Sequence, residues 1–579
     1  MSTIEVDPIT LQVIGGALHT IAKEMGHVLY RMSYSSIIRE SEDLGAGLFD
    51  ANCNTLCESD STPMHIGSIP AYLRGIEETL HDPWQPGDVV IHNHPYYGAS
   101  HSPDIAAVAP VFYEGELVGF SANTAHHVDI GAATPGLIID APDVFAEGML
   151  FKGVKLYEGG VRNRALWHFI SANTRVPDQV LGDIEAQVAS VELGVKRFIE
   201  LLDLYGKDVV FAATEQLMDY SEAMLRKQIA LIPDGEYRAE GFLDDDGRNR
   251  GITLPVKVCV RIAGDSAEVD LTGSSPQVPT AFNVPFEGST KVACYFAFRA
   301  MLLDSAVISE HVPQNEGSFR PIKVTAPLGS IFNPKYPAAA EARFNQIQRV
   351  VDCIIKALAP VIPDKVTAGC SADVSAIAYS GVRPEGNYWV FIEVNEGAYG
   401  GRPESDGPDG IEELMRNTRN NPIEDLESHL PLRVHRYELR DEACPPGRWR
   451  GGIGSVREVE FLEDGGVSVE GEGHVHAPWG FDGGSSGETA HMSFRPTQGN
   501  ERRLPSKLPN LSTRAGDRIE VVGPSGGGYG NPFERDPIQV CEDVIDGYLS
   551  PERALTDYGV VITEELTVDD AATTRSRAG

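Results

Sequence analysis

The sequence predicts a multidomain protein of mixed α and β (α+β) class. Three observations lead there. Apolar residues recur at helical spacing over the first 33 or so residues and again over 177–232, whereas the stretches between and after them alternate like strands among glycine-rich turns. At 579 residues the chain is also too long for one core. The switches of period suggest four parts. Residues 1–233 would hold a long N-terminal helix, a β region with candidate metal ligands and a helical segment. A central α/β unit would follow over 234–384, then a β-rich, glycine-rich unit over 385–568 and a polar tail over 569–579.

Taken in order, Asp7 is a helix cap and Pro8 occupies the first helical position. Ile9, Val13, Leu18, Ile21, Met25, Leu29 and Met32 then form a stripe expected to face the core. Leu44–Asp50 reads as a strand, as does Asp88–His92, with a turn-rich loop over His94–Ser102. Val108–Phe112 and Leu117–Ala122 flank Tyr113-Glu-Gly-Glu as a hairpin. Val180–Leu202 and Val209–Ile232 read as helices, the second stopped by Pro233-Asp-Gly. Strands are expected at Val256–Ile262 and Ala267–Leu271, and helices at Thr290–Leu303 and Glu341–Ala359. The Arg343–Arg349 face of the latter can bind an anion, with a salt-bridged surface as the preferred reading.

Charge excludes some functions. Lys+Arg 48 against Asp+Glu 84 leaves −36 with histidine neutral. Such a surface repels nucleic acid and anionic membranes over a Debye length of roughly 8 Å. No apolar run reaches the ~18 residues that span a bilayer, and the opening Met1-Ser-Thr-Ile-Glu has no basic or apolar leader character. The eight cysteines are scattered; only Cys53 and Cys57 are close, with no second pair to complete a four-thiolate zinc site. A cytoplasmic protein with reduced thiols is the expectation.

His101-Ser-Pro-Asp104, followed by His126-His127-Val-Asp129, is the sharpest chemical signal. Imidazole nitrogen and carboxylate oxygen together suit a divalent ion such as zinc, manganese or iron. The hairpin can fold His126 back onto the His101–Asp104 loop, and a carboxylate of Ser41-Glu-Asp43 can complete the shell. Asp129, His127 and Asn123 are candidates to orient the ligands. Solvated loop residues are the competing reading of spacing alone. No GxxxxGK[ST] occurs, so no nucleotide-binding residues are assigned, and Gly523-Pro-Ser-Gly-Gly-Gly-Tyr-Gly reads as a tight structural loop.

Longer blocks carry a resemblance. Asp7-Pro-Ile-Thr, Ser41-Glu-Asp43, His65-Ile-Gly-Ser, Asn93-His-Pro-Tyr-Tyr-Gly, His101-Ser-Pro-Asp104, Arg175-Val-Pro, Asp270-Leu-Thr-Gly and Gly526-Gly-Gly-Tyr-Gly-Asn-Pro stand in the order of the hydantoinase B/oxoprolinase family, which the sequence resembles along nearly its whole length. The stretch Glu396–Arg402 departs from the family's more glycine-rich, aromatic pattern. The resemblance implies one subunit of an ATP-dependent hydrolase of cyclic amides (hydantoin, oxoproline or a lactam). It implies Asp43, His101, Asp104 and His126 as metal ligands, and a hydantoinase A-type partner that holds ATP-Mg and phosphorylates the substrate within a hetero-oligomer. Metal-activated water would then open the ring, with Asp129 or Glu147 as general base. A ketone carboxylase subunit and a non-catalytic scaffold are the alternatives.

Overall fold

The computed structural model describes residues 4–305, 308, 311–370, 375–412, 414–441 and 444–578. The opening Met1-Ser-Thr and the tail's Gly579 lie outside them. Among the described residues no helix is long and apolar enough to cross a membrane.

Helix α1 (Pro8–Met32) starts where the sequence says: the Asp7 carboxylate accepts from the backbone N–H groups of Ile9 and Thr10. Its buried face is Ile14, Leu18, Ile21, Ala22, Met25 and Leu29. Ile9, Val13 and Met32 are exposed, contrary to the expected stripe. The true face is centred on 14, 18, 21, 25 and 29, a 3.6-residue repeat that Ile9 and Val13 miss.

After a short α2 (Ser36–Arg39), the chain builds a seven-stranded antiparallel sheet. Its strands are β1 (Leu44–Asp50), β2 (Thr55–Glu58), β3 (Val89–His92), β4 (Asp104–Tyr113), β5 (Glu116–His126), β6 (Val154–Glu158) and β7 (Val161–Arg162), in the order β2-β1-β5-β4-β3-β6-β7. Every residue of β1 and β3 is buried, because helices cover both faces. On one side lies α3 (Ile69–Thr79); on the other lie α1 and α5 (Pro177–Tyr205). Two further helices, α4 (Arg164–Asn173) and α6 (Lys207–Ile229), flank α5. Strands β4 and β5 form a two-residue hairpin at Glu114-Gly115, both with positive φ (51° and 85°), the combination a type I′ turn requires. The hairpin is longer than the sequence suggests and keeps pairing down to Asp104 opposite His126.

A second sheet orders β11-β10-β9-β8 from β8 (Gly235–Leu243), β9 (Leu254–Ala263), β10 (Ser266–Asp270) and β11 (Ile322–Thr325). Helices α7 (Lys291–Leu302) and α8 (Phe344–Leu358) pack on it in the largest apolar core. A β-sandwich follows. One layer holds β12 (Ser375–Val382), β13 (Tyr388–Asn395), β16 (Gly465–Glu470) and β19 (Lys507–Thr513). The other holds β14 (Leu432–Leu439), β15 (Ser455–Phe461), β17 (His491–Arg495), β18 (Arg502–Leu504) and β20 (Arg518–Val522). Tyr379, Phe391, Val459, Phe461, Val469 and Ile519 fill the space between them. Helix α9 (Ile423–His429) precedes β14, and α10 (Pro537–Ile545) and α11 (Pro551–Tyr558) form a small core of their own. The polar tail is helical: α12 (Asp570–Ala578) buries Thr573 and binds back through Arg577 to the carbonyls of Arg535 and Tyr558.

Glycine-rich segments of no regular secondary structure fill the space beside the sandwich. Gly526 donates to the carbonyl of Gly452, Gly527 to that of Gly369 and Gly528 to that of Ser485, each at 2.8–2.9 Å. A Cβ on Gly528 would sit 1.9 Å from the Pro446 carbonyl oxygen, and one on Gly527 2.0 Å from that of Trp479. These glycines are there because backbone packs on backbone.

Candidate metal centre

Three adjacent strands deliver three candidate ligands to one end of the first sheet. Asp104 opens β4, His126 closes β5 directly opposite, and Asp43 immediately precedes β1, whose Leu44 pairs with Ala125. The His126 N–H donates to the Asp43 carbonyl at 3.1 Å, which holds the two backbones together. His101 arrives from the loop before β4. His101 Nε2 lies 2.9 Å and His126 Nδ1 3.1 Å from Asp104 Oδ1. Ligand atoms of His101, Asp104 and His126 all fall within 4.8 Å of one another, and all three residues are buried. Asp43 stands at the edge of this triad, its Oδ2 4.0 Å from His126 Nδ1.

The hydrogen bonds fix the chemistry of His101. Its Nδ1 is 2.7 Å from the Glu341 carbonyl oxygen, which only accepts, so Nδ1 carries the proton. Burial and the neighbouring Arg343 guanidinium push its pKa down to about 4, so the ring is neutral. Nε2 is then a bare lone pair, buried without a donor, facing a carboxylate oxygen. Two lone pairs at that distance repel unless a cation sits among them. The donor set therefore fits a divalent ion held by His101 Nε2, His126 and Asp104.

Sequence reasoning missed several residues that shape this pocket. Arg343 is fully buried, and its Nη2 donates to Asp104 Oδ2 at 2.8 Å. Arg349 is buried too and pairs with Asp352. The expected salt-bridged surface is thus wrong: α8 is buried almost all round, so neither arginine reaches solvent. Ser100 adds a 2.6 Å bond to Asp104 Oδ2. Burial opposes the Asp104 charge, but the neighbouring His65 and the Arg343 cation outweigh it, and the carboxyl is held well below the usual range. His65 bridges Asp43 Oδ1 (3.0 Å) and Thr124 Oγ1 (2.7 Å). Burial lowers its pKa, yet Asp104 and Asp43 raise it more. Gly45 makes room for this ring, since a Cβ there would lie 2.6 Å from the His65 Cβ. His65 had a signal, the His65-Ile-Gly-Ser block; Arg343 had none, because its partner is 239 residues away.

The remaining candidates lie around the triad. Asn123 and His127 both bind Gln187 of α5: Gln187 Nε2 donates to Asn123 Oδ1 (3.0 Å), and His127 Nε2 lies 3.0 Å from Gln187 Oε1. Asp129 is engaged elsewhere, accepting from Arg175 Nη1 at 2.7 Å, the Arg175 N–H at 2.6 Å and Thr174 Oγ1 at 3.0 Å. Glu147 is buried and accepts from Ser102 Oγ (2.7 Å) and from the backbone N–H groups of Ala340 and Glu341, tying the His101 loop to the segment before α8. Burial pushes its pKa up to about 7. All eight cysteines are buried and unpaired.

Comparison with known proteins agrees in one direction. The Hydantoinase B/oxoprolinase family model matches residues 7–532. A protein of Pseudomonas sp. (strain NS671) assigned as one of the subunits of a D-/L-hydantoinase is 51% identical, over 99% of this chain and 98% of that one. The caprolactamase beta chain of Pseudomonas jessenii is 33% identical over 99% of each chain. The solved structure of the ATP-dependent caprolactamase from that organism superposes with a TM-score of 0.89 over 100% of both chains, at 31% identity. A nucleotide-free acetone carboxylase structure shares the fold, with a TM-score of 0.88 at 18% identity, covering 99% of this chain and 82% of that one. With a family match over nearly its full length and a fold that superposes end to end, this chain belongs to the hydantoinase B/oxoprolinase family.

Proposed function

We propose that this chain is the ring-opening, metal-holding subunit of an ATP-dependent cyclic amide hydrolase, with hydantoin-type rings as substrates. The observation that carries the reading is the neutral His101, whose Nε2 lone pair is buried against Asp104 and His126 with no protein donor. The relatives support the substrate class, since two that match this chain over nearly its whole length are named as a hydantoinase and a caprolactamase subunit. Their subunit names also support a separate ATP-binding partner, the hydantoinase A-type subunit, as does the lack of a Walker-type loop here.

The chemistry divides accordingly. An unstrained amide is a poor electrophile, and phosphorylation of its carbonyl oxygen by the partner would supply a leaving group. A divalent ion among Asp104, His101 and His126 would supply Lewis acidity that ionises water near neutral pH. The protein's own residues hold everything in register. Arg343 and Ser100 fix the Asp104 carboxylate, the Glu341 carbonyl fixes the His101 tautomer, and Gln187 fixes the strand end that carries His126 and His127. Glu147, with its pKa near 7, can exchange a proton at working pH.

The test is metal content by plasma mass spectrometry, paired with turnover by the complex with its ATP-binding subunit. About one equivalent of zinc, manganese or iron is expected in the parent and little in His101→Ala. ATP-dependent opening of hydantoin, 5-oxoproline or a lactam should be lost in parallel. A parent that carries no metal, or a complex that consumes acetone and bicarbonate instead, would defeat the proposal.

A further inference from the structure

Beside the candidate metal ligands, the start of α8 and its surroundings concentrate buried polar atoms that the described residues leave without partners. Asn345 and Gln348 are both fully buried, and among the described residues neither carboxamide makes a hydrogen bond with either its nitrogen or its oxygen. Arg343 Nη1, Glu341 Oε2 and Glu470 Oε2 are also unpartnered. Buried polar groups are nearly always satisfied within the fold or by what the fold binds, and each one left bare is costly. So dense a group around the start of α8, with Glu470 reaching in from β16, marks a place built to receive a polar ligand.

Position ties this group to the pocket already described. Phe344, next to Asn345, packs its ring 5.3 Å from His101 and 6.3 Å from His126. Gln348 follows Phe344 by four residues and Asn345 by three, so the three share a helix face. Side chains on a helix lean toward its N-terminus, which brings the Gln348 carboxamide back over the turn that carries Phe344. The guanidiniums of Arg343 and Arg416 lie over the Phe344 ring, at 4.7 and 4.3 Å. Gln346, by contrast, donates to the carbonyls of Phe282 and Ala342 and belongs to the core side.

The chemistry of the pair narrows the ligand. A primary carboxamide offers one donor and one acceptor along a single edge. A cyclic amide is locked cis, so its C=O and N–H also lie along one edge, with the complementary order. Carboxamide and ring amide therefore pair through two hydrogen bonds. We infer that Asn345 and Gln348 are specificity-determining residues that each read one –CO–NH– edge of a ring carrying two such edges, as a hydantoin does and a simple lactam does not. This rests on the cyclic-amide reading above and deepens it.

The experiment uses the complex with the ATP-binding subunit and Mg-ATP. It compares hydantoin with 2-pyrrolidinone, a five-membered ring with a single amide edge. Asn345→Asp and Gln348→Glu keep the shape and replace a donor by an acceptor; Asn345→Leu removes both without adding charge. The expected result is a KM for hydantoin raised about tenfold or more, with kcat changed by less than about threefold. The rise for 2-pyrrolidinone should be smaller, with parental metal content and melting temperature. Variants with the parental KM and full metal would overturn the inference and leave the proposed function standing. So would variants that lose metal or melt early, which would make the pair structural. A metal-loaded parent complex that opens no cyclic amide would overturn both.

Discussion

The pocket at the end of the first sheet and the glycine-packed region beside the sandwich are both buried, and both depend on polar contacts. The pocket gathers imidazoles, carboxylates and a guanidinium around Asp104, held by hydrogen bonds that reach from four to 239 residues away. The glycine region dispenses with side chains along Gly526–Gly528, where its segments bond backbone to backbone at 2.8–2.9 Å. In the pocket a side chain is present because its charge or lone pair is needed. In the glycine region it is absent because there is no space. The two regions should therefore respond oppositely to small changes of volume and of charge.

The largest effect is expected from adding one carbon to the glycine region. In Gly528→Ala the new Cβ would meet the Pro446 carbonyl oxygen at 1.9 Å, and backbone on both sides cannot move aside cheaply. A loss beyond about 4 kcal/mol is expected, read as loss of soluble protein. A soluble variant with a parental melting temperature would show that these segments slide.

Next comes removal of charge from the pocket. Arg343→Leu conserves bulk but leaves the Asp104 carboxylate buried without its cation. Breaking such a pair costs about 3–5 kcal/mol. A divalent ion in the same pocket would offset part of that loss. Added zinc or manganese should accordingly raise the melting temperature of Arg343→Leu more than that of the parent. An equal rise in both would separate the ion from Asp104.

Much of the first region was legible in the sequence, and the second was not, for a physical reason. His101 and Asp104 lie on one turn, and Asp104 meets His126 through a hairpin whose turn and alternation are local signals. The strand Leu44–Asp50, the Asp7 cap and the helix pair ending at Ile229 are likewise products of nearby residues. Arg343 and Gln187 reach the pocket only through tertiary contacts, so no spacing announces them. Asp129 stood next to the His-His pair and attracted a chemical role, yet its carboxylate is taken up by Arg175. In the glycine region composition tells that backbones come close, but not which ones. The pairing of Gly526 with Gly452 and of Gly527 with Gly369 spans 74 and 158 residues, counting 526 − 452 and 527 − 369.

The edge of the glycine region, where it meets the sandwich, should respond to pH. Glu396 accepts from Tyr437 Oη at 2.6 Å and from Asn420 and Ser455, while its own backbone carbonyl abuts Gly523. Burial pushes its carboxyl up to about 7 from an ordinary 4.5. The folded state thus keeps a proton that the unfolded state releases. The stability this group contributes is full below about pH 4.5 and is lost as pH rises through about 7. Glu396→Gln removes the titration. Between pH 5 and 8 the parent should lose roughly 2 °C more melting temperature than the variant. Identical slopes would mean that Glu396 is ionised throughout.

The smallest effect tests whether glycine in this protein always means crowding. Gly16 lies within α1, and a Cβ there meets nothing within 4 Å. Alanine would cut the entropy of the unfolded chain and favour the helix without a clash, so Gly16→Ala should stabilise by about 0.5–1 kcal/mol. The measurement is a denaturant midpoint at unchanged slope. A gain there beside a collapse at Gly528 would locate the constraint in neighbouring backbone rather than in glycine itself, whereas a loss at Gly16 would place an unseen contact on the outer face of α1.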